Sequence, residues 1–282
     1  MISIAVVSCA MFIPRADAQE WMELKGDHFL IYYTKDLSSA QDVLTKSEAY
    51  YRDIATELGY PRYSEFWTWD KRVKIYIYPD HESFVRATSQ PAWSHGVAEY
   101  LSKTISSYAW NKNFTESILP HEIAHLIFRD FVGFKGQIPL WLDEGVAQWA
   151  ERAKRQAIKA LMLRAFKDDA LLLVKDIMTL NMQTVTDSRL VFIKPNLNKA
   201  DKEGVLIING ENLVKLYYLE SASLVGYLIE KYGSFNFAEL CRQLRDGKTL
   251  EEALTFAYPM QIRSIADLEK RWREYLRNGG RV

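Results

Sequence analysis

Residues 121 to 125 read His-Glu-Ile-Ala-His, and this spacing constrains the chain more than any other feature of it. Four residues along a helix bring the side chain back to within about 40° around the axis. On a helix, then, His121 and His125 project from one face, and their imidazoles can reach a single metal ion. H-E-x-x-H sets two neutral nitrogen ligands beside a carboxylate, here Glu122, placed to act as base on a water that zinc makes acidic. Leu119, Ile123, Leu126 and Ile127 fall on the opposite side of the same helical wheel. Such a helix has one stripe to pack and another face to present to a cleft. The alternative is a surface helix carrying two solvated imidazoles.

A third ligand is available downstream. The stretch Pro139-Leu140-Trp141-Leu142-Asp143-Glu144-Gly145-Val146-Ala147-Gln148-Trp149 opens a second helix, with eighteen residues between His125 and Glu144. Leu142, Val146, Trp149, Ala150 and Ala153 form its expected buried stripe, and Glu144 lies on the other side. Alone, Glu144 reads as a solvated carboxylate. Together with His121 and His125 it completes a set of two His and one Glu that leaves a fourth position for water, as catalytic zinc sites require. Gln148, one turn on, is a candidate to orient a ligand or else a solvated side chain.

The two stretches, His121-Glu122-x-x-His125 and, eighteen residues on, Trp141-Leu142-Asp143-Glu144-Gly145-x-Ala147, resemble the gluzincin branch of zinc metallopeptidases. There a W-L-x-E-G-x-A stretch carries the third ligand. A later run from Tyr217 to Gly233, Y-Y-L-E-S-A-S-L-V-G-Y-L-I-E-K-Y-G, is similar to the bacterial peptidase MA-like family. The resemblance touches about residues 94 to 276 and is strongest from 118 to 150. It implies one zinc ion held by His121, His125 and Glu144, peptide-bond hydrolysis with Glu122 as base, and a compact zincin-like catalytic domain acting on a peptide or protein. Such enzymes add an oxyanion donor from the far wall, for which Tyr217, Tyr218 and His95 are candidates. They also bind substrate backbone along an edge strand, and residues 93 to 110 precede the metal helix where that strand would lie. The alternative for that segment is a plain sheet edge.

The rest of the chain limits what else it can be. Its 282 residues, 48% hydrophobic and 13% aromatic, suffice for a packed core. Lys+Arg and Asp+Glu each total 36, so no overall charge draws the chain to nucleic acid. Residues 1 to 18 read as an export signal: an apolar run, then Ala16-Asp17-Ala18 before Gln19 as a small-x-small cleavage site, although no basic residue leads it. A buried N-terminal strand and, behind it, a lipoprotein signal ending at Cys9 are the alternatives. Export implies a periplasmic or secreted protein. Removal of the leader would leave Cys241 as the single cysteine, with no intramolecular disulfide, and Cys241 reads as a small core residue. Past the leader no apolar run reaches the roughly 20 residues needed to span a membrane.

Pattern along the chain predicts an α+β fold. Residues 19 to 282 are expected to form one domain, zincin-like as the resemblance implies, with an N-terminal mixed sheet over about 19 to 115 and a mostly helical part over about 116 to 282. Strands are expected at 28–33, at 71–78 and as a pair turning near Ser102-Lys103, with a helix over 37–59. His28 and His81 read as strand-edge or turn residues. The metal helix is expected over 117–131, the Glu144 helix as far as about 167 with a solvated basic face (Arg152, Lys154, Arg155, Lys159, Arg164), a loop around 194–199, and helices at 212–232, 235–246, 249–257 and 265–278. The reading favoured is an exported zinc endopeptidase. Gly96-x-x-Glu99 matches only weakly the stretch with which gluzincin aminopeptidases capture a free α-amine. The alternatives are an inactive zincin scaffold serving as an envelope interaction protein, and a zinc hydrolase of another amide or ester.

Overall fold

The computed structural model describes residues 20–60, 66–109, 113–133, 139–180, 191–195 and 205–281, so the expected leader lies outside the described residues. β1 (Met22–Lys25) runs antiparallel to β2 (Phe29–Tyr33) at one edge of a sheet. β2 buries Phe29, Ile31 and Tyr33, every second residue, as the pleat requires. α1 (Leu37–Glu57) starts where the Asp36 carboxylate accepts from the Ser39 N–H, and the chain leaves it through Gly59 at φ +78°. It crosses over to β3 (Val73–Tyr78), parallel to β2, which buries Val73, Ile75 and Ile77. α2 (His81–Thr88) follows, started by the Asp80 carboxylate on the Ser83 N–H. His81 therefore opens a helix that sequence pattern does not announce.

The expected strand pair is present as β4 (Val97–Glu99) and β5 (Thr104–Tyr108), turning through Lys103 at φ +50°. β5 lies parallel to β3, and β4 is antiparallel to β5 at the far edge, giving the order β1-β2-β3-β5-β4. Among the described residues, β4 thus has one side of its backbone unpaired within the sheet.

A wide helical turn, Phe114–Ile118, leads into α3 (Leu119–Val132), which tolerates Pro120 in its first turn and stops at Gly133, φ +70°. Leu119, Ile123, Leu126 and Ile127 are all buried, as the wheel predicts. α4 (Leu140–Ala150) follows, but the single helix expected to residue 167 does not form. The backbone breaks at Glu151 (φ −74°, ψ 71°), makes a tight turn at Arg152–Lys154 and resumes as α5 (Arg155–Lys167). Ala153, expected in the buried stripe, lies exposed in that turn. Nor is the basic face merely solvated. Arg152 and Arg155 pair with Glu57 on α1, Arg155 also lies 4.0 Å over the Trp149 ring, and Lys159 pairs with Glu230.

Residues 168 to 210 hold α6 (Val174–Thr179) and a hairpin of β6 (Val191–Pro195) and β7 (Val205–Asn209). Lys194 and Pro195 belong to β6, and the rest of the expected loop, 196–199, lies outside the described residues. α7 (Gly210–Tyr232), α8 (Ser234–Arg245), α9 (Leu250–Ala257) and α10 (Ile265–Arg277) complete the helical part close to the boundaries read from pattern. Cys241 is buried on α8, as expected of a core residue.

Two glycines let α4 and α7 approach closely. A Cβ on Gly145 would stand 2.7 Å from the Ser221 carbonyl oxygen, and one on Gly226 would collide with the Trp149 ring. A continuous buried cluster runs from Phe29 on β2 to Leu276 on α10, so the five-stranded mixed sheet and the mostly helical remainder share packing in the α+β, zincin-like arrangement. No helix among the described residues is long and apolar enough to cross a membrane.

Candidate metal centre

His121 and His125 leave α3 on one face, opposite its buried stripe, and Glu144 leaves α4 toward them. Their Nε2 atoms stand 3.2 Å apart, and Glu144 Oε2 is 3.8 Å from each. The other nitrogen of each imidazole is already committed. His125 Nδ1 donates to Asp143 Oδ1 at 2.9 Å, and His121 Nδ1 donates to Glu151 Oε1 at 3.1 Å. Because a carboxylate only accepts, each neutral imidazole carries its proton on Nδ1 and turns a lone pair on Nε2 inward. Two lone pairs and a carboxylate oxygen therefore converge on one point, an arrangement that calls for a cation. Tetrahedral zinc with bonds of about 2.0–2.1 Å has ligand atoms about 3.3 Å apart, between the two spacings found, so the residues present fit the ion.

The carboxylates behind the imidazoles are buried and fully engaged. Asp143 is 3% exposed, and its Oδ2 accepts from Arg129 Nη2 at 2.7 Å. Glu151 is 2% exposed, and its Oε2 accepts from Lys154 Nζ at 2.5 Å and from the Ser117 hydroxyl. Burial pushes both acids up, but the donors outweigh it and hold them below the usual carboxylate range. In the metal-free chain burial pulls His125 down, yet Asp143, Glu144 and Glu122 lift it to about 9. The negative field that holds a proton there is the field a metal ion would neutralise. Burial raises Glu144.

Sequence reading missed both orienting carboxylates and offered Gln148 instead. Asp143 sits one residue before Glu144 and reads as a helical surface acid. Glu151 reaches His121 only because α4 breaks at that residue, which no local pattern announces. The one available signal was Asp143, inside the same W-L-D-E-G stretch as the ligand.

Glu122 lines a cleft of about 290 Å³ together with His125 and Glu144. Gly96 and, from the edge strand β4, Val97 and Ala98 also line it as a wall. That wall is tied to the metal helix by Asp130 of α3, which accepts from Tyr100 Oη at 3.0 Å, Lys103 Nζ at 2.5 Å and Trp67 Nε1 at 2.6 Å. Glu99 is exposed, accepts from Ser102 Oγ at 2.7 Å and is not among the residues lining the cleft. His95 bonds Tyr108 Oη at 2.8 Å and is likewise absent from the lining. Tyr217 and Tyr218 stand on α7, which packs against α4, and neither is among the residues lining the cleft. Burial and the Glu144 charge raise both phenols, Tyr218 to about 12. Tyr217 is fully buried with its hydroxyl unpartnered among the described residues, whereas Tyr218 is half-buried.

A mixed sheet beside two helices that bring two His and one Glu together makes a group able to hold a metal ion. The family model described as the peptidase MA superfamily matches residues 67–194 and 207–278, more than half of the chain, and the protein belongs to that superfamily. Its members are peptidases, generally metal-dependent. No curated protein matches the chain.

Proposed function

We propose that the protein is a zinc-dependent endopeptidase of the gluzincin type, with His121, His125 and Glu144 as ligands of one zinc ion and Glu122 as catalytic base. The observation that carries this reading is the convergence of three lone-pair donors whose imidazoles are fixed from behind by buried carboxylates, beside a cleft that Glu122 lines. When bound, zinc would polarise the scissile carbonyl and acidify a water. Glu122 takes the proton of that water and returns it to the leaving amine. The unpaired edge of β4 adds the substrate backbone as a further strand, which suits the interior of an extended polypeptide. Of the two phenols on α7, Tyr218 is the one with an open side and remains a candidate oxyanion donor; Tyr217 is sealed in the core. Glu99, outside the cleft lining, is poorly placed to capture a terminal amine, which favours endopeptidase over aminopeptidase.

The decisive variant is Glu122→Gln, which removes the base and spares the three ligands. Zinc content is expected to stay near one per chain while turnover of an unfolded protein substrate falls by about 10² or more. Undiminished cleavage by the variant would refute the mechanism. We also propose export with cleavage before Gln19. The intact mass of protein recovered from its native host checks this, and a mature chain that retains residues 2–18 would refute it.

A further inference from the structure

We propose that the cleft selects a substrate carboxylate one to two residues from the scissile bond, and that Arg129 reads it. The inference rests on the peptidase reading and adds a substrate class to it. Arg129 lies four residues beyond His125 on α3, one turn along the same face, and it lines the cleft. Four residues of helix rise about 6 Å, a distance covered by one to two residues of extended peptide at about 3.3–3.6 Å each. Among the described residues lining the cleft, Arg129 is the one side chain with a permanent positive charge.

Its orientation is set before any ligand arrives. Nη2 donates to Asp143 Oδ2 at 2.7 Å, and the guanidinium lies 5.6 Å from the centroid of the Tyr100 ring. Nε and Nη1 have no partner among the described residues, and the side chain is 40% exposed. The second Nη2 hydrogen, with Nε or Nη1 beside it, leaves a planar two-donor face that matches a carboxylate. Elsewhere the cleft offers a carboxylate no such donor, because Glu122, Asp143 and Glu144 contribute three negative charges to it, which a divalent ion would offset only in part. Acceptance at Arg129 and no such donor elsewhere make the preference depend on position rather than on net charge. The carboxylate could be an Asp or Glu side chain or the C-terminus of a peptide.

Blocked hexapeptides carrying Glu or Gln at each position in turn, made with free or amidated C-termini, distinguish these sources. Zinc-loaded wild type, Arg129→Gln and Arg129→Lys are assayed with metal content measured and cut sites read by mass spectrometry. Wild type is expected to cut the Glu peptide about tenfold more efficiently than its Gln partner when that residue falls one or two positions from the cut. A matching gain from a free over an amidated terminus would place terminal carboxylates in the same class. In Arg129→Gln the ratio is expected to fall to near one with zinc retained. If that variant loses zinc, Arg129→Lys, whose ammonium still reaches Asp143 but lacks the fork, carries the comparison, and a reduced ratio is expected. Equal cleavage of Glu and Gln peptides by wild type would overturn the inference and leave the peptidase reading standing. If no peptide is cut, that reading fails, and binding of the same pairs to zinc-loaded Glu122→Gln decides the inference by itself: no preference for Glu overturns it.

Discussion

The metal site, whose His125 and Glu144 line the cleft, is its floor: there His121 and His125 each spend one nitrogen on a buried carboxylate, and each carboxylate has further donors of its own, Arg129 for Asp143 and Ser117 with Lys154 for Glu151. On the wall, three residues of β4 hang at the edge of a sheet, and their turn is fastened to the metal helix through Asp130. The floor is built from overlapping polar contacts inside packed helices, so its geometry is fixed before metal or substrate arrives. The wall is held through the turn that follows it, and among the described residues its outer backbone edge pairs with no strand. Changes to the floor should therefore be read in metal affinity, and changes to the wall in substrate binding.

The largest expected effect is at the ligand that comes from the second helix. Glu144→Ala leaves two imidazoles facing each other and should weaken zinc binding by more than about a hundredfold, measured by competition with a chelator of known affinity. Unchanged affinity would remove Glu144 from the ligand set. Neutralising the carboxylates behind the imidazoles is milder. Asp143→Asn and Glu151→Gln should each weaken zinc by about 10- to 100-fold, and a variant that binds zinc as tightly as wild type would show that its imidazole is held by packing alone. The smallest effect belongs to the wall. Asp130→Asn should leave zinc content intact and raise KM by about threefold to tenfold with kcat less affected, the mark of lost ground-state binding. Loss of zinc in that variant would mean that wall and floor are not separable.

The same contrast explains what the sequence made legible. His121, Glu122 and His125 lie within one helical turn, so a period of 3.6 residues places them without knowledge of the fold, and the W-L-D-E-G stretch brings Glu144 with it. The sheet was readable for a similar reason, since the alternation in β2 and β3 records one buried face. What escaped depends on contacts between distant segments. Glu151 meets His121 across thirty residues, and only through a helix break that its own neighbours do not signal. Arg129 looks like any helical cation until Asp143 and Tyr100 are set around it. α2 was missed because its start rests on a single cap at Asp80, and the β6–β7 hairpin because Pro195 reads as a loop although it ends an edge strand.

X-ray absorption at the zinc edge of the loaded protein tests the three-ligand site most directly. The expected spectrum shows four light-atom ligands at about 2.0–2.1 Å, two of them with the outer-shell scattering of imidazole. A sulfur ligand, a single imidazole or an ion surrounded only by water would contradict the site built from His121, His125 and Glu144.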